Sequence, residues 1–531
     1  MPVHTGGELL ARSLAAHGVD VVFGIPGNHN LGIYQHLGPA GIRHVLGRHE
    51  QGCGYAADGY ARVSGQPGVV LVTAGPAVLN TLAALGQAYS DSVPVLLISP
   101  GMPLRHPFRG NGHLHETRDQ HAAVDAVVAV SARVTSVAEI GDAVSHAFAD
   151  MTAGRPRPVH LDVPIDVLDE SADTEVGRPV PLSKPTAPPD QLARAAALLA
   201  EAARPGIVVG GGARFAAPEV CRLAERLGAG VVTTTNGKGT LPEDHPLSLG
   251  AGAHLAAVAE WVRTRDVLLA VGTDLGSSDL WNGPWQLDGS VVRIDIDPRQ
   301  IVINARPDVA LVGDAAPALG SLLELLGGAD ERVTSAREAT DWSSRIRSEA
   351  AAEGVLWHAE IQAMSEVLAR DAIVTGDSAA VCYYGLRANL PLYKPGSFLY
   401  PTGYGTLGYG LPAAIGAKVA APDRQVVAVL GDGGVMFTIA ELASAAAEGL
   451  AIPVIVVDNG GYGQIRHNMQ RRGYPPLGVD IPSPDFAAIG RAMGCHGVTI
   501  ESPGHLGEEL AKALVADRPT VLHIREAETS A

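Results

Sequence analysis

The chain has few cysteines, few aromatic residues and an excess of acidic over basic groups. Four cysteines occur in 531 residues, and no two are closely spaced; this pattern argues against a zinc motif and a disulfide framework. Aromatic residues make up 5% of the chain, and the formal net charge is −17. Because nucleic-acid binding calls for basic patches and stacking rings, we expect no nucleic-acid partner.

Long hydrophobic runs are also missing. No stretch of about 18 apolar residues occurs, and the first residues show no basic segment followed by an apolar one, so the sequence predicts neither a membrane span nor a signal peptide. We therefore expect a cytoplasmic protein. With 531 residues, 46% of them hydrophobic, the chain is long enough for about three domains.

Val-rich segments alternate with Ala-rich segments along the chain. This alternation predicts an α/β fold of three doubly wound domains with mainly parallel sheets. We predict the domains at residues 1–168, 190–330 and 355–531, joined by a Pro-rich segment and by a charged segment with little apolar periodicity. In the central domain, Phe215 stands where the third glycine of a dinucleotide-binding G-x-G-x-x-G motif would be, so we expect no bound NAD.

Two predicted strands end in residues suited to a metal and a phosphate. Residues 425–430 are followed by Gly431-Asp432-Gly433-Gly434, and residues 452–457 by Asp458-Asn459-Gly460-Gly461. A glycine turn that opens a helix presents backbone N–H groups to a phosphate. Carboxylate, amide and carbonyl oxygens are the ligands that Mg²⁺ prefers, and Asp432, Asn459 and a backbone carbonyl would supply them. Both segments are also ordinary turn signals between strands and helices, and that interpretation stays open.

The order and spacing of these residues resemble the motif of the thiamin-diphosphate-dependent superfamily of pyruvate decarboxylase, benzoylformate decarboxylase and acetolactate synthase. The resemblance covers almost the whole chain and implies a pyrimidine-binding domain, a central domain and a C-terminal domain that binds diphosphate and Mg²⁺. The family pattern ends in Asn-Asn, whereas this chain has Asp458 first. The implied Mg²⁺ ligands are Asp432, Asn459 and Gly461, and the implied cofactor contacts in the same domain are Gly431, Gly433, Gly434, Asn459 and Tyr462.

Two further segments resemble the family. Arg48-His49-Glu50 opens a segment rich in small residues, and the resemblance implies that Glu50, as a buried carboxylate, hydrogen-bonds the aminopyrimidine ring of the cofactor and activates it. The alternative is a first-turn glutamate that only favours its helix. In residues 405–416, the resemblance implies that Leu407 holds the cofactor bent and that the carbonyl of Gly405 accepts a hydrogen bond from the aminopyrimidine. Alternatively, Leu407 is part of the core.

Three positions resemble those that line the substrate pocket in the family. Asn28 stands where related decarboxylases carry Asp or Ser, and its amide can hydrogen-bond a carboxylate. His115 lies in a segment similar to a paired-histidine segment, and an imidazole can protonate an intermediate near neutral pH. A solvated polar loop is the alternative for His115. Ile465 stands where pyruvate decarboxylases carry a Glu. In this respect the chain is more similar to benzoylformate decarboxylase.

Residues 114–116, 465–469, 475–480 and 484–486 are similar to acetolactate-synthase-like enzymes that act on 5-guanidino-2-oxopentanoate. The resemblance implies nonoxidative decarboxylation of a 2-oxo acid to an aldehyde and CO₂. A guanidinium group would need a carboxylate partner, and the candidates are Glu116, Asp119 and Asp279. Two alternatives stay open: an acetolactate synthase or related carboligase, and a catalytically silent scaffold protein.

The resemblance also implies an assembly. In the family, the N-terminal and C-terminal domains meet across a subunit interface, so Glu50 of one chain would face Asp432 of another. A homodimer would then be the smallest active unit, and a homotetramer is the usual assembly. Acetolactate synthases bind FAD in the central domain; for this chain we regard FAD as possible and do not expect it.

Overall fold

The computed structural model describes residues 3–106, 109–327 and 335–526. The N-terminal unit has strands β1 (Val3–Thr5), β2 (Val21–Gly24), β3 (Arg43–Leu46), β4 (Gly68–Leu71), β5 (Val95–Gly101), β6 (Val130–Arg133), β7 (Val159–Pro164) and β8 (Ser171–Asp173). Its helices are α1 (Gly6–Ala16), α2 (Leu31–Leu37), α3 (Glu50–Ser64), α4 (Pro76–Ser90), α5 (Gln120–Asp125), α6 (Ile140–Thr152) and α7 (Ile165–Asp169). A six-stranded parallel sheet has the order β3-β2-β4-β5-β7-β6, and β1 pairs antiparallel with β8.

The central unit is smaller. Its strands are β9 (Pro205–Val209), β10 (Gly230–Thr233), β11 (Val267–Val271), β12 (Ser290–Asp295) and β13 (Val309–Val312). Its helices are α8 (Pro189–Glu201), α9 (Ala217–Leu227), α10 (Ala256–Arg263) and α11 (Ala315–Leu326). The five strands form a parallel sheet in the order β10-β9-β11-β12-β13.

The C-terminal unit has a second six-stranded parallel sheet. Helix α12 (Ser335–Glu353) leads into this unit, whose own helices are α13 (His358–Val367), α14 (Arg387–Asn389), α15 (Gly410–Ala420), α16 (Asp432–Val435), α17 (Glu441–Ala447), α18 (Gly463–Arg471), α19 (Phe486–Ala492) and α20 (Pro503–Ala513). Its strands are β14 (Ile373–Gly376), β15 (Phe398–Leu399), β16 (Val426–Gly431), β17 (Pro453–Asp458), β18 (His496–Ile500) and β19 (Thr520–Arg525). Their order is β15-β14-β16-β17-β19-β18.

Short helical turns connect some of these elements. The 3₁₀ turns are Val137–Glu139, Gly211–Ala216, Thr235–Gly237, Gln300–Val302 and Val355–Trp357, and a π-helix covers Val381–Leu386. Within the described ranges, no helix has both the length and the apolar character that a membrane crossing would require.

The predicted fold class, three doubly wound α/β units with mainly parallel sheets, is confirmed. Strands such as β16 and β17 are buried almost throughout, as their Val-rich sequences predict for parallel strands covered by helices on both faces. The strands of the three large sheets fall inside the predicted ranges 1–168, 190–330 and 355–531. The domain boundaries themselves stay predictions.

The charged segment before the third domain, in which the sequence shows little apolar periodicity, contains a helix. Residues 335–353 of this segment form α12, a helix of 19 residues, while residues 328–334 lie outside the described part of the chain. Ala339, Ile346 and Ala350 are buried in the core of the central unit. The apolar stripe is too narrow to stand out in a sequence dominated by charged residues on the other faces.

Helices α3 and α15 pack the N-terminal and C-terminal units of one chain together at backbone contact. A Cβ atom on Gly59 would lie 2.2 Å from the carbonyl oxygen of Ala413, and one on Gly416 would lie 1.8 Å from that of Ala56. Neither position can hold a side chain without moving a helix. Because α3 begins at Glu50, this crossing also fixes where Glu50 lies relative to the C-terminal unit.

Candidate active site

Three neighbouring strands of the C-terminal sheet, β14, β16 and β17, end in polar residues. Asp377 follows β14, Asp432 follows β16, and Asp458-Asn459 closes β17. Because the strands are parallel, their carboxyl ends meet at one edge. Asp432 is buried, and its Oδ2 accepts a hydrogen bond from the N–H of Gly461 (2.7 Å) and lies 3.2 Å from the hydroxyl oxygen of Ser483. The structure therefore brings the two halves of the predicted metal motif together.

The donor set at this edge fits a hard divalent cation. The Oδ1 atom of Asn459 is buried and has no hydrogen-bond partner among the described residues, and an amide oxygen without a donor is available to a cation. Burial, and then the neighbouring carboxylate of Asp458, raise the pKa of Asp432. A nearby cation would favour the ionised form instead. Asp432 and Asn459 thus suit Mg²⁺ as the sequence predicted, and their role as its ligands stays a prediction.

Glycine keeps the space beside the metal residues open. A Cβ atom on Gly433 would lie 2.8 Å from the ring of Tyr462 and 3.8 Å from the carbonyl oxygen of Gly461. Gly461 has φ +136°, a conformation that favours glycine. A side chain at Gly433 would therefore collide with the ring of Tyr462 unless that ring moved.

Asp458 is the residue that departs from the family motif, and both of its carboxylate oxygens have hydrogen-bond partners. Its Oδ1 accepts hydrogen bonds from the N–H of Gly460 (3.0 Å) and the hydroxyl of Ser483 (2.5 Å), and its Oδ2 lies 3.0 Å from Nε2 of His523. Although burial opposes it, these donors hold the pKa of Asp458 below its usual value. Asp458 therefore anchors the turn that carries Asn459.

The loop that carries Gly405 and Leu407 is anchored at its far end by Asp377, which sequence reasoning missed. The Oδ2 of Asp377 accepts a hydrogen bond from the N–H of Gly408 (2.7 Å), and the hydroxyl of Thr438 donates to the carbonyl of Gly408 (2.7 Å). Burial raises the pKa of Asp377 to about 6. Gly405 has φ +66° and is exposed, while Leu407 is half-buried. The signal was available, since Gly376-Asp377 ends a strand just as Gly431-Asp432 does.

Glu50 opens α3 at the carboxyl edge of the N-terminal sheet, as predicted. Its Oε2 accepts a hydrogen bond from the amide of Asn80 (2.9 Å), and the side chain is half-buried in the single chain. The expected apolar enclosure of this carboxylate is thus incomplete within one chain. No hydrogen bond or ion pair within residues 3–106, 109–327 and 335–526 joins Glu50 to Asp432 or Asn459.

Glu441 of α17 fixes the backbone that leads into Glu50, and sequence reasoning missed it. Its Oε1 accepts hydrogen bonds from the N–H groups of Arg48 and His49 (3.0 Å each), and its Oε2 accepts one from Ser444 (2.6 Å). The side chain is only 2% exposed, and burial raises its pKa. No local motif identifies Glu441, because its partners lie almost four hundred positions earlier in the chain.

Asn28 and His115 lie on loops of the N-terminal unit. Asn28 is exposed in the turn after β2, and His115 is half-buried. The ring of His29, which sequence reasoning did not single out, lies 4.9 Å from the ring of His115 between centroids. Adjacency to Asn28 was the one available signal. The role of His115 in a substrate pocket stays a prediction beside the alternative of a solvated polar loop.

The three candidate carboxylates for a guanidinium group differ in what they already contact. Asp279 lies in the central unit, pairs with the buried Arg387 (3.0 Å) and accepts hydrogen bonds from Thr235. Asp119 caps α5 by accepting from Ala122 N–H (2.9 Å), and Glu116 accepts from Gly110 N–H (2.7 Å). The charge of Asp279 is neutralised, so Glu116 and Asp119 are the candidates that the geometry leaves.

A cavity and a cluster of polar side chains lie away from this edge. A cavity of ≈490 Å³ lies between the three units and borders the Gly211-Gly212 turn. On the central unit, Cys221, Glu225 and His245 bring their polar atoms within 4.8 Å of one another. The Nδ1 of His245 accepts a hydrogen bond from the N–H of Leu247 (3.2 Å), so in the neutral ring the proton lies on Nε2, facing Glu225. We interpret these three side chains as a hydrogen-bonded group at the protein surface.

Comparison with known proteins agrees with the fold. Models of the thiamine pyrophosphate enzyme family match in three parts: the N-terminal TPP binding domain at residues 4–123, the central domain at residues 192–322 and the C-terminal TPP binding domain at residues 379–524. The predicted class, an enzyme that depends on thiamin diphosphate, is thereby confirmed. The chain belongs to the thiamine pyrophosphate enzyme family.

The similar proteins include one named as a decarboxylase and others named as acetolactate synthases. A protein of Pseudomonas aeruginosa named probable 2-ketoarginine decarboxylase AruI is 43% identical over 515 residues, which cover 95% of this chain and 90% of that protein. The acetolactate synthase large subunit of Parasynechococcus marenigrum is 36% identical, covering 99% of this chain and 88% of that protein. A probable acetolactate synthase large subunit of Methanocaldococcus jannaschii is 33% identical, covering 98% and 91%.

Proposed function

We propose that this protein catalyses the thiamin-diphosphate-dependent, nonoxidative decarboxylation of a 2-oxo acid to an aldehyde and CO₂, with 5-guanidino-2-oxopentanoate as substrate. The observation that carries the proposal is the unpartnered Oδ1 of Asn459 beside the buried carboxylate of Asp432, at the edge where both predicted strands end. The relative named as a 2-ketoarginine decarboxylase supports the substrate.

The residues at the C-terminal edge would hold the cofactor. Asp432, Asn459 and the carbonyl of Gly461 would bind Mg²⁺, which in turn neutralises the diphosphate. The backbone at Gly431, Gly433 and Gly434, with the side chain of Tyr462, would line the diphosphate. Thiamin diphosphate, when bound, supplies the electron sink for decarboxylation.

The remaining residues would orient the cofactor and the substrate and would supply the proton for the product. Glu50 would hydrogen-bond the aminopyrimidine ring and hold its proton, Gly405 would accept a hydrogen bond from the same ring, and Leu407 would support the bend between the two rings. Asn28 would hydrogen-bond the substrate carboxylate, and His115 would supply the proton that replaces CO₂. Glu116, on the loop next to His115, would accept the guanidinium group.

We propose that the active unit is a homodimer, assembled as a homotetramer. Large apolar side chains are exposed near both catalytic edges: Leu79 (43%) and Leu114 (54%) in the N-terminal unit, and Ile465 (49%) and Leu477 (82%) in the C-terminal unit. Exposed apolar side chains grouped near a site are typical of protein interfaces. A second chain that covered them would also enclose Glu50.

The proposed location is the cytoplasm, and the proposed enzyme needs no flavin. The four cysteines are free thiols, three of them buried, as in a reducing compartment.

Nonoxidative decarboxylation passes no electrons to an acceptor, so the reaction gives FAD no redox role. An absorbance spectrum of the purified protein checks this, since a flavin band would contradict it.

Turnover with a panel of 2-oxo acids tests the proposal. The protein is incubated with thiamin diphosphate, Mg²⁺ and each acid, and the products are identified by mass spectrometry. We expect the aldehyde of 5-guanidino-2-oxopentanoate, with a higher kcat/KM than for pyruvate, and a preference that weakens in Glu116→Gln. Acetolactate from pyruvate as the main product would establish the carboligase alternative, which the acetolactate synthase relatives favour. No product from any acid would favour the silent scaffold.

A further inference from the structure

Three histidines lie together at the carboxyl edge of the N-terminal sheet. The ring centroid of His29, in the turn after β2, lies 4.9 Å from that of His115 and 6.2 Å from that of His113. The Nδ1 atoms of His29 and His115 are buried, and neither has a hydrogen-bond partner within the part of the chain that the structure describes. Both rings therefore carry a nitrogen that the fold itself does not use.

The backbones of both histidines are held firmly. His115 has φ +64°, in the left-handed region, and its carbonyl oxygen lies where a Cβ atom on Gly75 would approach to 2.3 Å. In the turn that carries His29, Asn30 accepts a hydrogen bond from the N–H of Gly27 (2.8 Å) and donates one to the carbonyl of Ile25 (3.1 Å). The two rings are thus kept adjacent, and only side-chain rotation can change their contact.

The surroundings of His29 contain positive partners and no negative one. Burial lowers the pKa of His29, and the charges that His115 and His113 carry when protonated lower it further. No carboxylate among the described residues contributes to this shift. Protonating one ring disfavours protonation of its neighbour.

The reaction requires a proton from solvent in every turnover. When the carbon–carbon bond to the carboxylate breaks, CO₂ leaves, and the carbon that becomes the aldehyde must gain one proton in its place. The group that gives this proton must be protonated again before the next cycle. His115 is half-buried, and the ring of His29, 4.9 Å away between centroids, is a neighbouring group that can carry a proton.

We propose that His29 is a relay residue, which takes a proton from solvent and passes it to His115. The catalytic part of this inference rests on the proposed function. His29 has the required features: a ring adjacent to His115, an unused Nδ1 and a half-buried position next to the exposed Asn28. Its lowered pKa makes it a neutral acceptor and a good donor towards a deprotonated His115.

Chemical rescue in weak buffer tests the relay. In His29→Phe, which keeps a ring of similar shape, we expect kcat to fall by about tenfold in dilute buffer, with KM unchanged and recovery on addition of imidazole. The matched control is His146→Phe, on the exposed face of α6, which should show no dependence on buffer. An unchanged kcat in His29→Phe, or a loss that imidazole does not restore, would overturn the proposal. The same holds if the rescuable loss appears in His113→Phe instead.

A second measurement needs neither turnover nor cofactor. Deuterium exchange at the imidazole C2 carbon, followed by mass spectrometry, gives the pKa of His29 in the wild type and in His115→Phe. Coupling between the rings predicts that the pKa of His29 rises in the variant, because the repelling charge is removed; an unchanged value would overturn the pair. If the wild type decarboxylates no 2-oxo acid while the coupling is found, the proposed function fails and the histidine pair stands.

Discussion

Mixed dimers of two inactive variants would show whether each active site draws on two chains. The variants are Glu50→Gln, at the N-terminal edge, and Asn459→Ala, at the C-terminal edge. Within one chain, Glu50 is hydrogen-bonded to Asn80 of its own unit (2.9 Å), and Asn459 has an unpartnered Oδ1 at a different sheet. Loss of an acid–base group typically costs roughly 10²–10⁴-fold, so the Glu50→Gln homodimer should be almost inactive. The Asn459→Ala homodimer should be inactive when the assay is run at a cofactor concentration too low for this variant to bind.

The expected recovery follows from how the lesions are distributed. If a site combines Glu50 of one chain with Asn459 of the other, a mixed dimer has both lesions in one site and none in the second. Random assembly from equal amounts makes half of the dimers mixed, and the mixture should then reach about a quarter of wild-type activity. If each site formed within one chain, every site would carry one lesion and no activity would return.

Two affinity tags make the assay selective. The variants are co-expressed with different tags, the mixed dimer is purified over both, and CO₂ release is measured per dimer. We expect about half of the wild-type rate, because one of two sites is intact. A purified mixed dimer without activity would refute the shared-site arrangement, provided that a wild-type dimer with the same two tags is active.

Three further perturbations have calculable outcomes. Glu441→Ala leaves the N–H groups of Arg48 and His49 unpaired, so we expect a loss of roughly 2–4 kcal/mol in unfolding free energy and a fall in kcat, whereas Glu441→Gln, which keeps one oxygen, should retain most of both. Asn459→Ala should weaken Mg²⁺-dependent binding of thiamin diphosphate by about tenfold or more in calorimetry, equivalent to about 1.4 kcal/mol. Burial lowers the pKa of His160 to about 3; a lowered histidine pKa gives stability that is complete above pH ~6.5 and is lost on acidification, about 2 kcal/mol by pH ~5. His160→Gln should therefore lose less stability than the wild type over that interval in denaturant titrations, and equal losses would contradict the assignment.

The parts of the fold and site that the sequence predicted share a local signature. Asp432 and Asn459 follow Val-rich strands directly, and Glu50 opens a helix after a strand, so their positions at sheet edges follow from the alternation of strands and helices. Parallel pairing of neighbouring strands then brings Asp432 and Asn459 together without further information. Such residues can be predicted because strand, turn and helix are contiguous in the chain.

The residues that were missed act through contacts between distant segments. Glu441 receives hydrogen bonds from Arg48 and His49 of another domain, and Asp377 anchors a loop more than thirty positions later at Gly408. The adjacency of His29 and His115 likewise depends on how two loops fold over one sheet. Burial and charge pairing of this kind depend on tertiary packing, which local periodicity does not encode.

The mixed-dimer experiment can also show whether Glu441 acts on Glu50 or on the residues of the metal edge. It belongs to the C-terminal domain that carries Asn459, yet its carboxylate holds the backbone next to Glu50 of the same chain. In a shared site, a Glu441 lesion therefore damages the site that uses its own chain's Glu50. Glu441→Ala should regain activity when mixed with Asn459→Ala and should not when mixed with Glu50→Gln, although Glu441 lies closer in sequence to Asn459. The opposite pattern would show that Glu441 acts through the metal edge instead.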